Sequence, residues 1–492
     1  MHRVPELRIR DLNGAPVRPD GKYVLYWMIA ARRPHWNFAL DRALELAGEL
    51  DRPLVVLEAL RAGYPWASDR LHRFAIDGMA DNARAFAKSD VLYHPYVEPR
   101  PGAGKGLVEA LARDACAAVT DDFPAFFLPR MTSAVAARLP VRLETVDGNG
   151  VLPMRAAPKE FARAFDFRRF LQRELPAHLD RAPRRAPLRS AVRPLRRWPA
   201  DVIRRWPAAD SRLLDGDAGA LARLPIDHGV PPVAYRGGTR TGRRAMGRFL
   251  EQRLDGYGET RNQPESETTS GLSPYLHYGH VSAHEVLHAV CAREGWTPAD
   301  VSRRASGKRS GWWGLRPPAE SFLDQLVTWR ELGFNCCVHR PDYDRYASLP
   351  EWARRTLREH ARDPRPHRYT LEQFDRAETH DSLWNAAQNQ LRAEGRIHNY
   401  LRMLWGKKVL HWSASPRRAL EILIELNNRY AVDGRDPNSY SGIFWTLGRF
   451  DRAWGPEREV FGKVRYMSSA NTRRKLRVDG YVERWGDAVD PA

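Results

Sequence analysis

Cysteine is scarce in this 492-residue chain: Cys116, Cys291, Cys336 and Cys337 are the whole complement, with no CxxC spacing. A disulfide scaffold and a cysteine-based metal site both lack support, and a reducing cytoplasm fits. No run of eighteen apolar residues occurs, so no transmembrane helix is expected. The opening MHRVPELRIRDLNGAP lacks the apolar core of a secretory leader, which again suggests a cytoplasmic chain. The early part carries no GxGxxG fingerprint, so nothing there argues for a nicotinamide site. Acid is also in short supply. Sixty Asp and Glu face 79 Lys and Arg, leaving a net charge of +19. Such a surplus points to a polyanionic partner, most simply nucleic acid. Composition alone does not separate DNA from RNA or from an anionic membrane.

What is present suits a large globular protein. The chain is 43% hydrophobic and too long for one ordinary core, so two or more domains are expected. Residues 23–29 (YVLYWMI) and 53–57 (PLVVL) read as buried strands. Helical periodicity covers 36–50 and 69–87. Short β-prone runs recur at 91–93, 117–120 and 141–146. This alternation predicts a Rossmann-like α/β domain with a parallel sheet over residues 1–165. Residues 181–206 hold nine arginines, with prolines at 183, 187, 194 and 199. They read as part of a basic interdomain linker, 166–235, running over the surface. From 236 to 492 helical patterns dominate, and Asp381, Ser415 and Asp436 are placed as helix starts or turn formers. The stretch SRRASGKRSGWWGLRPP at 302–318 reads as a mobile loop inserted between helices, whose Trp312 and Trp313 either touch a partner or cover a neighbouring helix.

Trp405 and Trp412 lie seven residues apart on a helical pattern. They share a face, roughly 10 Å apart along the axis. Trp384 lies on the preceding helical segment, beyond Gly395. Such a set is able to pass an electron in short hops, and equally able to be plain core packing. Arg402, Asn427, Asp433 and Arg435 form a polar group in otherwise apolar helices. A structural salt bridge explains the Arg–Asp pair as well as a ligand site does. Ser270 and Ser273 flank Gly271 and Leu272 at a helix start, which suits a phosphate but is also a common helix opening.

The wording around these residues is more specific. THDSLWNAAQ at 379–388, the segment around Trp405, LNNRYAVDGRDPNSYSGIFW at 426–445 and FGKVRYM at 461–467 closely resemble class II cyclobutane pyrimidine dimer photolyases. SGLSPYLHYGHVS at 270–282 is similar to the flavin-binding segment of the wider photolyase/cryptochrome family. The resemblance implies an all-α C-terminal domain that binds FAD through Tyr257, Thr269, Ser270, Gly271, Leu272 and Ser273. It implies that Arg402 and Asp433 pair beside the isoalloxazine, with Arg435 near and Asn427 facing flavin N5. Trp405, Trp384 and Trp412 become the proximal, middle and outer members of an electron path. Trp329 and Trp445 become the walls of a lesion cleft. Trp454 fills the gap in the duplex, and Arg452 and Arg465 hold its phosphates. The expected partner is DNA containing pyrimidine dimers, met by a monomer without metal or membrane. A second, deazaflavin-type antenna chromophore is placed by the family in the first domain, though no retained residue proves it.

Two departures stand out. Gln325, in SFLDQL, occupies the position where these enzymes present a glutamate to the dimer. An amide still donates a hydrogen bond to a thymine carbonyl but supplies neither proton nor charge. TLGRFDRA at 446–453 is one residue short of the family pattern, and WGPE carries an added proline. The expected activity is light-driven dimer splitting. The rival is a cryptochrome-like photosensor that binds FAD without efficient repair, and Gln325 is the residue that favours it.

Overall fold

The computed structural model describes residues 3–486 apart from Ala191 and Arg196. By density of contacts the chain gathers into two compact units, each built from three stretches. The first takes the chain up to Pro158, then Glu174–Gly247 and Gly271–Pro298; the second takes Lys159–Arg173, Arg248–Ser270 and everything from Ala299.

The first unit holds a six-stranded sheet of β1 (Ile9–Asp11), β2 (Tyr23–Met28), β3 (Leu54–Leu60), β4 (Leu92–Val97), β5 (Ala115–Asp121) and β6 (Leu143–Val146), ordered β1-β6-β5-β2-β3-β4. All pairings are parallel except β1 with β6. Every residue of β2 and β5 is buried, as central strands covered on both faces require. Alternate β2 residues serve different cores. Tyr23, Leu25 and Trp27 join one cluster, and Val24, Tyr26 and Met28 join the other. At the end of β5, Asp121 accepts hydrogen bonds from the amides of Ile29, Ala30 and Ala31 at 2.7–3.0 Å and from the Tyr26 hydroxyl at 2.9 Å. One carboxylate thus fixes the chain leaving β2.

The basic stretch 181–206 does not run free over the surface. It forms a helix, Ala200–Arg205, whose Val202 enters a sheet core together with Trp206. The Trp206 indole N–H donates to the Ala103 carbonyl at 2.9 Å. Upstream, Arg184 donates through Nε and its amide to the buried Asp41, each at 2.8 Å. Apolar anchors every few residues outweigh the charge that suggested a solvated linker.

The second unit is helical. Asp381, Ser415 and Asp436 each cap a helix, accepting from the amides of Trp384, Arg418 and Asn438. The 302–318 segment departs from the expected mobile loop. Trp312 and Trp313 are buried against each other, and the buried Glu320 carboxylate accepts from the amides of Gly311, Trp312 and Trp313 at 2.7–3.0 Å. Sequence reasoning had no means of pairing a helix glutamate with a loop backbone.

Gly333, on the Arg330–His339 helix, sits against the Pro437–Trp445 helix so closely that a Cβ would lie 2.9 Å from the Pro437 carbonyl oxygen. Gly333→Ala should therefore destabilise the helical unit by about 1–3 kcal/mol. A lower urea midpoint by circular dichroism checks this; an unchanged midpoint means the two helices part freely.

Candidate functional site

The tryptophans are placed by two helices, Ser382–Glu394 and Asn399–Trp412, joined by a four-residue connection. Gly395 closes the first helix at φ +65°, a conformation costly for other residues. The turn returns the chain so that Trp384 lies between the other two. Its ring is 6.4 Å from Trp405, nearly parallel at 7°, and 6.2 Å from Trp412 at 68°. Both inner indoles are satisfied: Trp384 Nε1 donates to the Trp405 carbonyl and Trp405 Nε1 to Gln388 Oε1, each at 3.0 Å. All three rings are buried, Trp412 included, at 2% exposure.

Arg402 lies three residues before Trp405, on the same helix face. It donates to Asp433 Oδ1 at 3.2 Å, forming an ion pair. Asn427 is buried, and its Nδ2 donates to Ser439 Oγ at 2.9 Å and Asn428 Oδ1 at 3.1 Å. Arg435, at φ +66°, points its guanidinium at backbone carbonyls of Asn428 and Val432, sealing the end of the Pro416–Tyr430 helix. Asn428 is the residue that sequence reasoning missed. It takes hydrogen bonds from Asn427 and the Arg435 amide and donates to the Tyr440 hydroxyl, so three neighbours hang on it. The doubled Asn in LNNRY was its only signal.

The Ser270/Gly271 peptide is where the chain passes between units. On one side, Tyr257 is buried edge-on against Phe249 and Phe322, its phenol pKa raised by burial; Thr269 and Ser270 are half-buried. On the other, Gly271 has φ +66° and open space where a Cβ would stand, Leu272 is buried, and Ser273 opens a short helix with its side chain exposed.

Gln325 and Trp329 share one π-helical turn, Asp324–Trp329, and are its two half-buried residues among buried neighbours. Such turns recur at functional sites because they present side chains that an α-helix would turn away. Asp324 anchors this one through a buried two-point bond with Arg168, at 2.7 and 3.1 Å. The turn runs on into the helix that packs against the one carrying Trp445. Trp445 and Trp454 are both half-buried, and the exposed Arg465 lies over both rings, at 5.8 and 5.0 Å. Arg452, also exposed, lies 4.2 Å over Trp454, whose indole donates to Asp451 at 3.1 Å. The structure therefore groups these residues in two sets, one on the π-turn and one around Arg465.

Lys407 sits beneath Trp445. Its ammonium lies 4.9 Å from the ring centroid and donates to the Thr446 carbonyl at 2.7 Å. Burial is the main cause that lowers its pKa to about 7; Asp451 opposes and Arg465 reinforces the shift.

No family model matches the chain. It is 36% identical over 484 residues to the deoxyribodipyrimidine photo-lyase of Methanothermobacter thermautotrophicus, covering 98% of this chain and 99% of that one. It is 34% identical to that of Arabidopsis thaliana, over 93% of this chain and 88% of the relative. The Potorous tridactylus enzyme of the same name is 33% identical, over 92% and 79%. In structure the chain is similar to a bacterial class III photolyase from Agrobacterium tumefaciens, with a TM-score of 0.67 and 17% identity over 94% of this chain and 86% of that one, a likeness of fold. Among the described residues no helix is long and apolar enough to cross a membrane, and no group of three His, Cys, Asp or Glu is arranged to hold a metal.

The buried lysine yields a pH test. Unfolded, Lys407 keeps its proton to about 10.5; folded, only to about 7. Between those values the unfolded chain binds more protons, so this group makes stability rise with pH. The stability of wild type relative to Lys407→Met should climb by about 2 kcal/mol from pH 7 to 9. Parallel denaturation curves at both pH values would show that Lys407 is not desolvated.

Proposed function

The chain belongs to the deoxyribodipyrimidine photo-lyase family of light-driven DNA-repair enzymes, and from that premise we propose that it splits cyclobutane pyrimidine dimers as a class II member. The observation that carries the reading is Trp384 lying between Trp405, on which it stacks, and Trp412, which it meets edge-on, with Arg402 and its Asp433 partner one helical turn from Trp405. We assign the antenna role to residues 1–165 and FAD and DNA binding to 236–492, with 166–235 joining them, in a monomer acting in the cytoplasm.

The family binds FAD in general, and the residues present suit it. Hydroxyls of Tyr257, Thr269, Ser270 and Ser273 offer donors for a diphosphate, and the open space at Gly271 admits close backbone approach. Arg402 offers positive charge balanced by Asp433, and Asn427 a neutral amide already oriented by Asn428 and Ser439. When bound, reduced FAD supplies the light-driven one-electron donor that opens the dimer and recovers the electron. Trp405, Trp384 and Trp412 carry electrons inward to reach that reduced state. Trp329 and Trp445 stack on the flipped pyrimidines, and Gln325 donates its amide N–H to a base carbonyl. Trp454 occupies the vacated duplex position while Arg452 and Arg465 neutralise phosphates. A deazaflavin-type antenna has support of its own. Tyr64, Trp66, Phe126 and Phe127 cluster beyond the C-terminal ends of β3 and β5, the edge where open parallel sheets bind ligands.

Trp405→Phe keeps the packing but makes the first hop harder. Light-driven reduction of oxidised FAD should nearly stop, while chemically reduced enzyme should still repair; absorbance under illumination checks the first and dimer counts the second. Photoreduction at the wild-type rate would point to another path.

The photosensor reading is favoured by Gln325 alone. Illuminating reduced protein with dimer-containing oligonucleotide and counting the dimers left decides between the two. Gln325→Glu should keep lesion affinity within a few-fold and raise repair per absorbed photon, because a protonated carboxyl stabilises charge growing on the base carbonyl better than an amide. If neither protein splits dimers while both bind FAD and photoreduce, the photosensor reading holds.

A further inference from the structure

Residues 302–311 (SRRASGKRSG) carry Arg303, Arg304, Lys308 and Arg309 and no acid. All of these basic side chains are exposed, and none has an ion-pair partner among the described residues. Like charges gathered in this way repel one another. The fold nevertheless holds the segment in one shape. The Ser302 amide donates to the Trp312 carbonyl at 2.8 Å and closes the loop at its base. Behind that closure stands the Glu320 carboxylate, bound to the amides of Gly311, Trp312 and Trp313. In the middle, the buried Gln172 accepts from the Gly307 amide at 2.7 Å and donates to the Lys308 carbonyl at 2.9 Å. Compact loops whose ends meet in this way are frequently functional.

Gln172 belongs to the Ala164–Glu174 helix, and the loop lies against that helix. Gly307, buried at φ +73°, passes so close that a Cβ there would stand 2.9 Å from the Phe165 ring and 3.2 Å from Arg169 Cβ. Phe165 is 50% exposed. Arg169 is exposed on the same helix, again with no ion-pair partner among the described residues. Asp166, the acid between them in sequence, is taken by Arg163 at 2.7 Å. The same helix begins beside the residues assigned to the lesion side. Arg163 forms an isolated parallel bridge with Phe450, which leads directly into Asp451 and Arg452. From there the helix runs on for roughly 16 Å, the length of about five base pairs of duplex.

We infer that residues 302–310, with Arg169 and Phe165, form a second DNA-binding surface that holds the phosphates of the duplex flanking the lesion. The inference rests on the DNA-repair reading given above and adds to it a surface away from the flipped bases. The chemistry is that of a polyanion clamp. It offers exposed cations at Arg169, Arg303, Arg304, Lys308 and Arg309, no acid within the loop, and one exposed ring able to lie against a deoxyribose. Each phosphate neutralised releases counterions, which makes the contact salt-dependent but blind to sequence. The Gln172 bonds give the loop its shape before DNA arrives, so less freedom is lost on binding. Gln172 is thus a positioning residue, which carries no charge and acts on DNA only through the loop.

The test uses the full FAD-loaded chain in the dark. The probes are a fluorescent duplex extending well beyond both sides of one thymine dimer and the same duplex undamaged, each titrated over a range of salt. Changing Arg303, Arg304, Lys308 and Arg309 together to Gln should weaken binding of both duplexes about tenfold or more. It should also shallow the plot of log affinity against log salt by about 2–4, at about 0.9 per phosphate. The preference for the dimer-containing duplex should hold within about two-fold. Gln172→Leu removes no charge; it should weaken both duplexes several-fold and leave the salt slope unchanged. Unchanged affinity and slope in the neutralised variant, with wild type binding both duplexes, overturns the surface and leaves the lesion-side assignments standing. A loss confined to the dimer-containing duplex also overturns it, because the loop then belongs to the lesion cleft. A neutralised variant that loses binding to phosphatidylserine vesicles but not to DNA overturns it in favour of a membrane. Failure of wild type to bind either duplex overturns the DNA-repair reading as well.

Discussion

A buried indole N–H has to find an acceptor, and the helical unit is arranged around the way Trp384 finds one. Its donor reaches a backbone carbonyl of the next helix, at Trp405, rather than a side chain or water. An unpaired donor there costs on the order of 1–3 kcal/mol. The bond therefore fixes how the two helices face each other, and with them the near-parallel stacking of the two rings. Trp405 is bound in turn by Gln388, one helical turn beyond Trp384. Helix pairing and ring stacking are thus one arrangement. A residue of the same shape without the N–H fills the space but does not set the geometry.

The same economy governs the positive charge. The excess of arginine suggested a broad polyanion surface, yet several of the guanidiniums are spent inside the protein. Arg8 is fully buried, donating to carbonyls of Asp147, Gly150 and Val151. Arg435 closes a helix, and Arg449 is held by the Tyr343 carbonyl and the Ser348 hydroxyl. Arg452 and Arg465 differ in being exposed and lying over tryptophan rings. Net charge described the composition well but not which guanidiniums face solvent.

Legibility in the sequence followed how local the cause was. β2, β3 and β5 were readable because strands buried on both faces are continuous apolar runs. β1 was not, since its three residues, Ile9 to Asp11, are partly exposed and pair only with a distant edge. The caps at Asp381, Ser415 and Asp436 were readable because capping acts within three residues. The burial of Trp312 and Trp313 was hidden because it depends on Glu320 from another element. Trp384 lies between Trp405 and Trp412, and Arg402 pairs with Asp433, but the roles given to these residues come from the motifs and not from the geometry. Asn428 escaped because its partners come from three places in the chain: Asn427 beside it, Arg435 after the helix, and Tyr440 on the next helix.

The π-turn at Asp324–Trp329 has a consequence for how this region tolerates change. A π-turn carries one more residue than an α-turn over a similar rise, so side chains before and after it are out of α-helical phase by about 100°. Replacing a residue leaves that phase intact. Removing one lets the backbone relax into ordinary helix and swings Gln325 off the side it shares with Trp329. In evolution and in engineering, this stretch should be permissive to changes of letter and brittle to changes of length.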